Sequence, residues 1–291
     1  MQAVKLKAHA KINLYLKVTG KRPNGYHDLV TVMQSISLHD TLTVKRASGE
    51  GIFLDTGGAL PADDSNLICK AAQAFFHRSG HPFGVTVTLE KKIPMQAGMG
   101  GGSADAAAML RALNLLDDER FSLEELCAIG AEIGADVPFC IVGGTKLCRG
   151  IGERMDPLVN NLSGTLVVAI GPEGVSTPKA FAALDEMYDN FKVDRDGQMP
   201  LALMAAMESG EGVAAASHFE NMFEQVIEPI RPAVKELKKV MMKKGAIAAM
   251  MSGSGPSVWG LFVKKSDAED ACCTLQSRGA RAFVCEMIKE I

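Results

Sequence analysis

Pro94-Met95-Gln96-Ala97-Gly98-Met99-Gly100-Gly101-Gly102-Ser103-Ala104-Asp105-Ala106-Ala107-Ala108 is the stretch on which the reading of this chain turns. It follows the strand-like run Val85–Leu89 and leads into alanines that favour a helix opening at about Ser103. Gly98, Gly100, Gly101 and Gly102 are costly to order, because glycine is freer in the unfolded chain than any other residue. The usual return is a backbone that lets a ligand come close. A loop that ends at a helix N-terminus also exposes unpaired N–H groups and the positive end of the helix dipole. That is an anion site without a lysine. Ser103 can cap the helix or turn its hydroxyl to a phosphate. The stretch fits neither G-x-x-x-x-G-K-[ST] nor G-x-G-x-x-G. Asp105 is awkward beside an anion, and reads as a first-turn dipole partner pointing aside or an indirect ligand for magnesium.

Upstream, Val4, Leu6, Ala8, Ala10, Ile12, Leu14, Leu16 and Val18 alternate with Lys5, Lys7, His9, Lys11, Asn13, Tyr15 and Lys17. A period of two over this length predicts a half-buried strand, bent or split in two. Lys11 and Asn13 share its polar face, about 7 Å apart by strand rise. Pro23-Asn24-Gly25 marks a turn. Strands are expected at Leu29–Leu38 and Thr41–Arg46, and a helix from Leu67 behind an Asp-Asp-Ser cap.

Downstream, Ser122-Leu123-Glu124-Glu125 is a capping box, and Gly134 stops its helix. Pro138 biases Val137 toward an extended backbone, so Asp136 is expected on a turn entering a strand. Gly143-Gly144 reads as a hairpin turn. Beyond residue 156 the texture changes. A short strand at Leu166–Ile170 precedes helix-like stretches from about 176 to 244. Ala246–Met251, the turn Gly253-Ser254-Gly255-Pro256 and Val258–Val263 then read as strand, turn, strand. A helix at Ser266–Ser277 and a strand at Ala282–Ile288 close an α+β layout. We therefore divide the chain into residues 1–156 and 157–291.

Bulk properties narrow the function. The 291 residues carry a net charge of -3, which disfavours a nucleic-acid backbone as partner. No apolar run reaches the roughly 18 residues of a membrane helix, and the start has no apolar signal segment. Seven cysteines without a C-x-x-C pair read as free thiols in a reducing cytoplasm. The six scattered histidines show no metal-ligand spacing.

Taken in order, five strings form a constellation: Ala10-Lys11-Ile12-Asn13-Leu14, Gly25-Tyr26-His27, Pro94 through the glycines to Ala104, Gly134-Ala135-Asp136-Val137-Pro138-Phe139, and Ser252-Gly253-Ser254-Gly255-Pro256. The chain thereby resembles the GHMP kinases over nearly its whole length. Gly-Gly-Gly-Ser-Ala-Asp-Ala-Ala and Asp64-Ser65-Asn66-Leu67-Ile68 look like the diphosphocytidyl-methylerythritol kinase branch in particular. The resemblance implies a two-domain α+β fold, with an N-terminal mixed α/β domain like that of a ribosomal protein and a ferredoxin-like C-terminal domain.

It also implies ATP as phosphoryl donor, Mg2+ carried with the nucleotide, and 4-diphosphocytidyl-2-C-methyl-D-erythritol as acceptor. Asp136 falls where the family keeps a base and Lys11 where it keeps a lysine that assists. Pro94, Met95, Gln96, Ala97, Gly98, Met99, Gly100, Gly101, Gly102, Ser103 and Ala104 are expected on the ATP phosphates, and Asn66 near the nucleotide. Asn13, Tyr26, His27 and Phe181 are expected on the acceptor, with Tyr26 and Phe181 sandwiching its cytosine. Phe181 stands where a tyrosine is more familiar. No fixed metal site, nucleic acid, membrane or obligatory protein partner is expected. A homoserine, mevalonate or sugar kinase of the same superfamily would have no use for Gly-Tyr-His. A nucleotide-sensing relative would lack the base or the lysine.

Overall fold

The alternating run becomes strand β1 (Ala3–Lys21), paired antiparallel with β2 (His27–Ala47) in a computed structural model that describes residues 3–171, 175–188 and 199–291. Met1, Gln2, Gly174 and the part of the expected helical stretch at 189–198 lie outside the described residues. The two expected strands after the turn are one continuous β2. Irregular register between His9 and Lys11 and between Asn13 and Tyr15 bends the pair without breaking it. Next come β3 (Ile52–Asp55), α1 (Leu67–Ser79), β4 (Gly84–Glu90), α2 (Gly101–Leu116), α3 (Leu123–Ile133) and α4 (Val137–Val142). β5 (Thr145–Gly150) and β6 (Arg154–Pro157) complete the first half.

The second half runs β7 (Thr165–Ile170), α5 (Thr177–Met187), α6 (Leu201–Ser209), α7 (Gly212–Ala216), β8 (Glu220–Asn221), α8 (Glu224–Ile227) and α9 (Pro232–Lys243). It ends with β9 (Ala246–Met251), β10 (Ser257–Phe262), α10 (Lys265–Ser277) and β11 (Arg281–Cys285). The first sheet has the order β3-β4-β2-β1-β8, with β5 on the remaining length of β2 and β6 beyond it. The second sheet, β11-β7-β10-β9, is antiparallel throughout. Strands β7 and β10 alternate between two cores. Leu166, Val168, Trp259 and Leu261 face the first sheet, while Val167, Ala169, Val258 and Phe262 pack under α5, α9 and α10.

Several local readings change in the structure. β1 is buried on both faces between Ala10 and Leu16, because the second half covers its polar side. The N-cap of α1 is Asn66, whose side chain accepts from the Ile68 N–H; the Asp-Asp-Ser run stands outside the helix. α2 opens at Gly101, with Gly100 as its N-cap in the left-handed region and no side-chain cap, so Ser103 already lies in the first turn. The helix with the capping box at Ser122 forms as expected. Asp136 leads into α4 rather than a strand, since a proline early in the first turn loses no intrahelical bond. Gly143-Gly144 joins that helix to β5 and is not a hairpin. The last strand ends at Cys285, after which the chain returns to β2 through an Ile36–Met287 bridge. All seven cysteines are free; Cys273 is exposed.

Candidate active site

Short side chains on α2 (Ala104, Ala106, Ala107, Ala108) let that helix lie close against β1, which brings the glycine-rich loop beside the polar face of the strand. The Lys11 N–H donates to the Met99 carbonyl at 3.0 Å, tying strand to loop. Gly98 and Gly100 have φ of +73° and +66°, a region that disfavours any side chain. A Cβ on Gly98 would stand 2.5 Å from the Ser252 carbonyl, and one on Gly100 would stand 3.1 Å from Lys11 Cγ. Gly101 and Gly102 are ordinary helical residues. The loop therefore ends on N–H groups without a side-chain cap at the start of a sixteen-residue helix, a geometry that suits an anion.

Lys11 is only 5% exposed, with Nζ donating to Asn13 Oδ1 at 2.9 Å and lying 3.4 Å from Asp136 Oδ2. The Asp136 side chain makes no capping bond to its own helix and faces this ammonium across Gly100. Ser252, on the turn after β9, is buried between β1 and the glycine-rich loop. Its hydroxyl accepts from the Asn13 N–H at 3.2 Å and donates to the Gly98 carbonyl at 3.2 Å. The Ser252–Pro256 turn thus links the loop to β1, and Gly253 and Ser254 reach the cleft.

One cleft of about 1250 Å³ contains Lys11, Asn13, Tyr26, His27, Asp136, Phe181 and the loop from Pro94 to Ser103. That exceeds the usual range of roughly 300–1,000 Å³ for a single small ligand. Ala104 is buried behind the loop and Asn66 is outside the lining. The Asn66 amide is engaged at both ends, accepting from Ile68 N–H and donating to the Pro61 carbonyl at 2.7 Å.

At the far end Tyr26 is 59% exposed, whereas His27 is buried and stacks on Phe181 with centroids 4.5 Å apart and planes at 18°. His27 thus lies on one face of Phe181, Phe223 meets that ring edge-on, and Tyr26 lines the same cleft. His27 Nε2 lies 2.7 Å from Asp185 Oδ1, and Lys21 Nζ lies 2.5 Å from Asp185 Oδ2. Burial raises the Asp185 pKa, but hydrogen bonds from Lys21 and His27 outweigh it and hold the carboxyl below its ordinary value. Neither Lys21 nor Asp185 carried a sequence signal, because they meet from β1 and α5 across 164 positions.

Asp105 is neither a dipole partner pointing aside nor aimed at a metal. It is buried behind the loop against Lys91 Nζ at 2.8 Å, and the same ammonium binds Asp40. Asp40 Oδ1 also accepts the N–H groups of Lys92 and Ile93, so the cluster clamps the passage from β4 into the loop. Desolvation, opposed by Lys91 and reinforced by Asp40, pushes the Asp105 carboxyl up from 3.8 to about 8. A folded pKa raised above the unfolded one means that folding takes up a proton. The associated stability is fully present below about pH 4 and is lost as pH rises through about 8. Wild-type melting temperature is expected to fall across that window more steeply than that of Asp105→Asn, which mimics the protonated acid. Superimposable melting curves for the two proteins from pH 5 to 9 would exclude this role.

Among the described residues, no helix is long and apolar enough to cross a membrane, and no three His, Cys, Asp or Glu side chains converge to cage an ion.

Comparison with known proteins agrees with this architecture. Residues 66–144 match the GHMP kinases N terminal domain and residues 203–281 the GHMP kinases C terminal domain. The 4-diphosphocytidyl-2-C-methyl-D-erythritol kinase of Lachnospira eligens is 40% identical over 263 residues, 90% of each chain. That of Gloeobacter violaceus is 38% identical over 98% of this chain and 95% of its own. A crystal structure of 4-(cytidine 5'-diphospho)-2C-methyl-D-erythritol kinase superposes with a TM-score of 0.82 at 33% identity, covering 98% of this chain and 99% of the other. Homoserine kinase from Cytophaga hutchinsonii shares the fold, with a TM-score of 0.79 at 18% identity over 100% of this chain and 96% of that one. With both GHMP domains matched in order and such identity sustained from end to end, the chain is a small-molecule kinase that belongs to the 4-diphosphocytidyl-2-C-methyl-D-erythritol kinase family of the GHMP kinases.

Proposed function

We propose that this chain transfers the γ-phosphoryl group of ATP to the 2-hydroxyl of 4-diphosphocytidyl-2-C-methyl-D-erythritol, a step of the non-mevalonate route to isoprenoid precursors. The observation that carries the reading is the 3.4 Å Lys11–Asp136 pair set against Gly100, inside a cleft large enough for two nucleotide-bearing substrates. The donor phosphates rest on the N–H groups at the start of α2, with the loop from Pro94 to Ser103 as their cradle. Asp136 accepts the proton of the acceptor hydroxyl and orients it. Phosphoryl transfer passes through a loose transition state, so that proton leaves late and an ordinary carboxylate suffices. Lys11 holds Asp136 in place and offsets charge on the transferring group.

Magnesium is read as arriving on the nucleotide. The loop offers backbone N–H donors, which suit phosphate oxygens, and the described residues hold no cage of acidic or imidazole ligands. Bound there, the ion would screen the charge of the β- and γ-phosphates.

For the acceptor, the exposed Tyr26 ring supplies a stacking face at the mouth of the cleft, and the His27–Phe181 stack forms the wall behind it. Tyr26→Ala is expected to weaken binding of CDP by about 1–3 kcal/mol, the usual worth of one base–aromatic stack. That is roughly fivefold to more than a hundredfold in Kd. Tyr26→Phe should cost far less, and ATP affinity should hardly change. Calorimetric titration of CDP into the three proteins tests this, with mevalonate and homoserine as controls that should not compete. Equal CDP affinities for wild type and Tyr26→Ala would remove Tyr26 from the site. Absence of CDP binding by wild type would overturn the acceptor assignment itself.

A further inference from the structure

The backbone of Asn13 is pinned from two sides. Its N–H donates to Ser252 Oγ at 3.2 Å, and its carbonyl accepts from Trp259 Nε1 at 3.0 Å. What remains free is the sense of its side-chain amide, and that sense decides what Lys11 meets. With Oδ1 toward the ammonium, Lys11 has an acceptor at 2.9 Å; with the amide reversed, two donors would face each other.

The sense is dictated one residue further out. The Thr31 hydroxyl lies 2.6 Å from the Tyr15 carbonyl and 2.7 Å from Asn13 Nδ2. A carbonyl can only accept, so the single Thr31 proton is spent on Tyr15. The Thr31 oxygen is then an acceptor toward Asn13, which must present its NH2 there and its Oδ1 to Lys11. Thr31 and Asn13 are each 1% exposed, so water does not relax this requirement. The irregular register between Asn13 and Tyr15 falls at the same place, where a bulge re-aims side chains.

We propose that Thr31 is a positioning residue for phosphoryl transfer, acting through Asn13 to hold the Lys11 ammonium against Asp136. Asn13 is on this reading a clamp on Lys11 as well as a lining group of the cleft. The inference rests on the assignment of Lys11 and Asp136 above. Thr31 touches no reacting atom in that assignment, so its effect belongs in turnover and not in the binding of ATP.

The test is steady-state kinetics of Thr31→Val, Thr31→Ser, Lys11→Met and the double variant Lys11→Met/Thr31→Val. Thr31→Val keeps the shape and removes the acceptor, and kcat is expected to fall about ten- to a hundredfold with KM for ATP within about twofold. Thr31→Ser restores the hydroxyl and should recover most of kcat. The double variant should be no slower than Lys11→Met alone, because the two changes remove one effect. Where Thr31→Val does not fold, Thr31→Cys, similar in size but a weak acceptor, takes its place with the same expectations. Wild-type kcat in the folded valine or cysteine variant, or losses that multiply in the double variant, would overturn the proposal. If Lys11→Met itself turned over at the wild-type rate, the assignment of Lys11 would fall, and the Thr31 proposal with it.

Discussion

Replacing Asp136 by asparagine is expected to lower kcat by about 10²–10⁴-fold while leaving the fold and ATP affinity intact, the usual worth of a positioned base. The substitution is nearly isosteric. Asp136 makes no capping bond to α4, so helix stability does not hang on its charge. What asparagine loses is the oxygen that would take the hydroxyl proton, and the partner of Lys11 at 3.4 Å. Burst and steady-state phosphorylation of the acceptor at saturating ATP would measure the loss. Circular dichroism and nucleotide titration would show that the protein remains folded and binds its donor. A variant that keeps most of its turnover at saturating substrates would strip Asp136 of this role.

Gly100→Ala is expected to be the other large effect, on the order of 10²-fold in kcat/KM, from a single methyl group. Gly100 has φ of +66°, where an L side chain costs roughly 1–2 kcal/mol per residue in backbone strain. The new Cβ would also lie 3.1 Å from Lys11 Cγ, 3.4 Å from Lys11 Cε and 3.7 Å from Asp136 Oδ2. To make room, either the loop leaves the strand or Lys11 leaves Asp136. A displacement of about 1 Å at a reacting centre is worth the magnitude given. Global stability should suffer less than activity, because the neighbours of Gly100 are side chains at the cleft and not the core. Thermal unfolding and kinetics measured on one preparation separate the two. Wild-type kcat/KM in Gly100→Ala would mean that the close approach has no bearing on the reaction.

The glycines show where sequence reasoning stops. From the string alone, any of the four could be the one that a side chain would ruin, and Gly101 and Gly102 in the triple run draw the eye first. The structure assigns left-handed conformations to Gly98 and Gly100 instead, since α2 begins at Gly101 and its first turn has ordinary helical angles. A one-residue difference in where a helix starts is a matter of which carbonyl accepts the first bond. Propensities summed along a window do not resolve it.

Asp136 and Asp105 teach the same lesson from charge. Both are acids beside the glycine-rich loop. Asp136 faces Lys11 across the cleft, whereas Asp105, five residues beyond Gly100, is turned inward against Lys91 and Asp40. Asp40, the other partner of Lys91, lies 51 residues from it on β2. Nothing local to either residue announces the meeting.

What the amino-acid sequence determined by itself is what depends on near neighbours: the period-two run that becomes β1, the capping box that opens α3, the glycine-rich loop that leads into a helix, and the order of strings that marks the family. These follow from backbone freedom, side-chain periodicity and caps, all of which act over a few residues. The tertiary structure alone decided that the polar face of β1 is covered, which turns Lys11 and Asn13 from surface groups into buried ones with obligatory partners. It alone decided that Ser252, 239 residues from Asn13, joins strand to loop, and that His27 lies on Phe181. The reason is that a buried polar group must find its hydrogen bonds wherever packing places a complement, and packing brings together residues whose separation along the chain carries no signal.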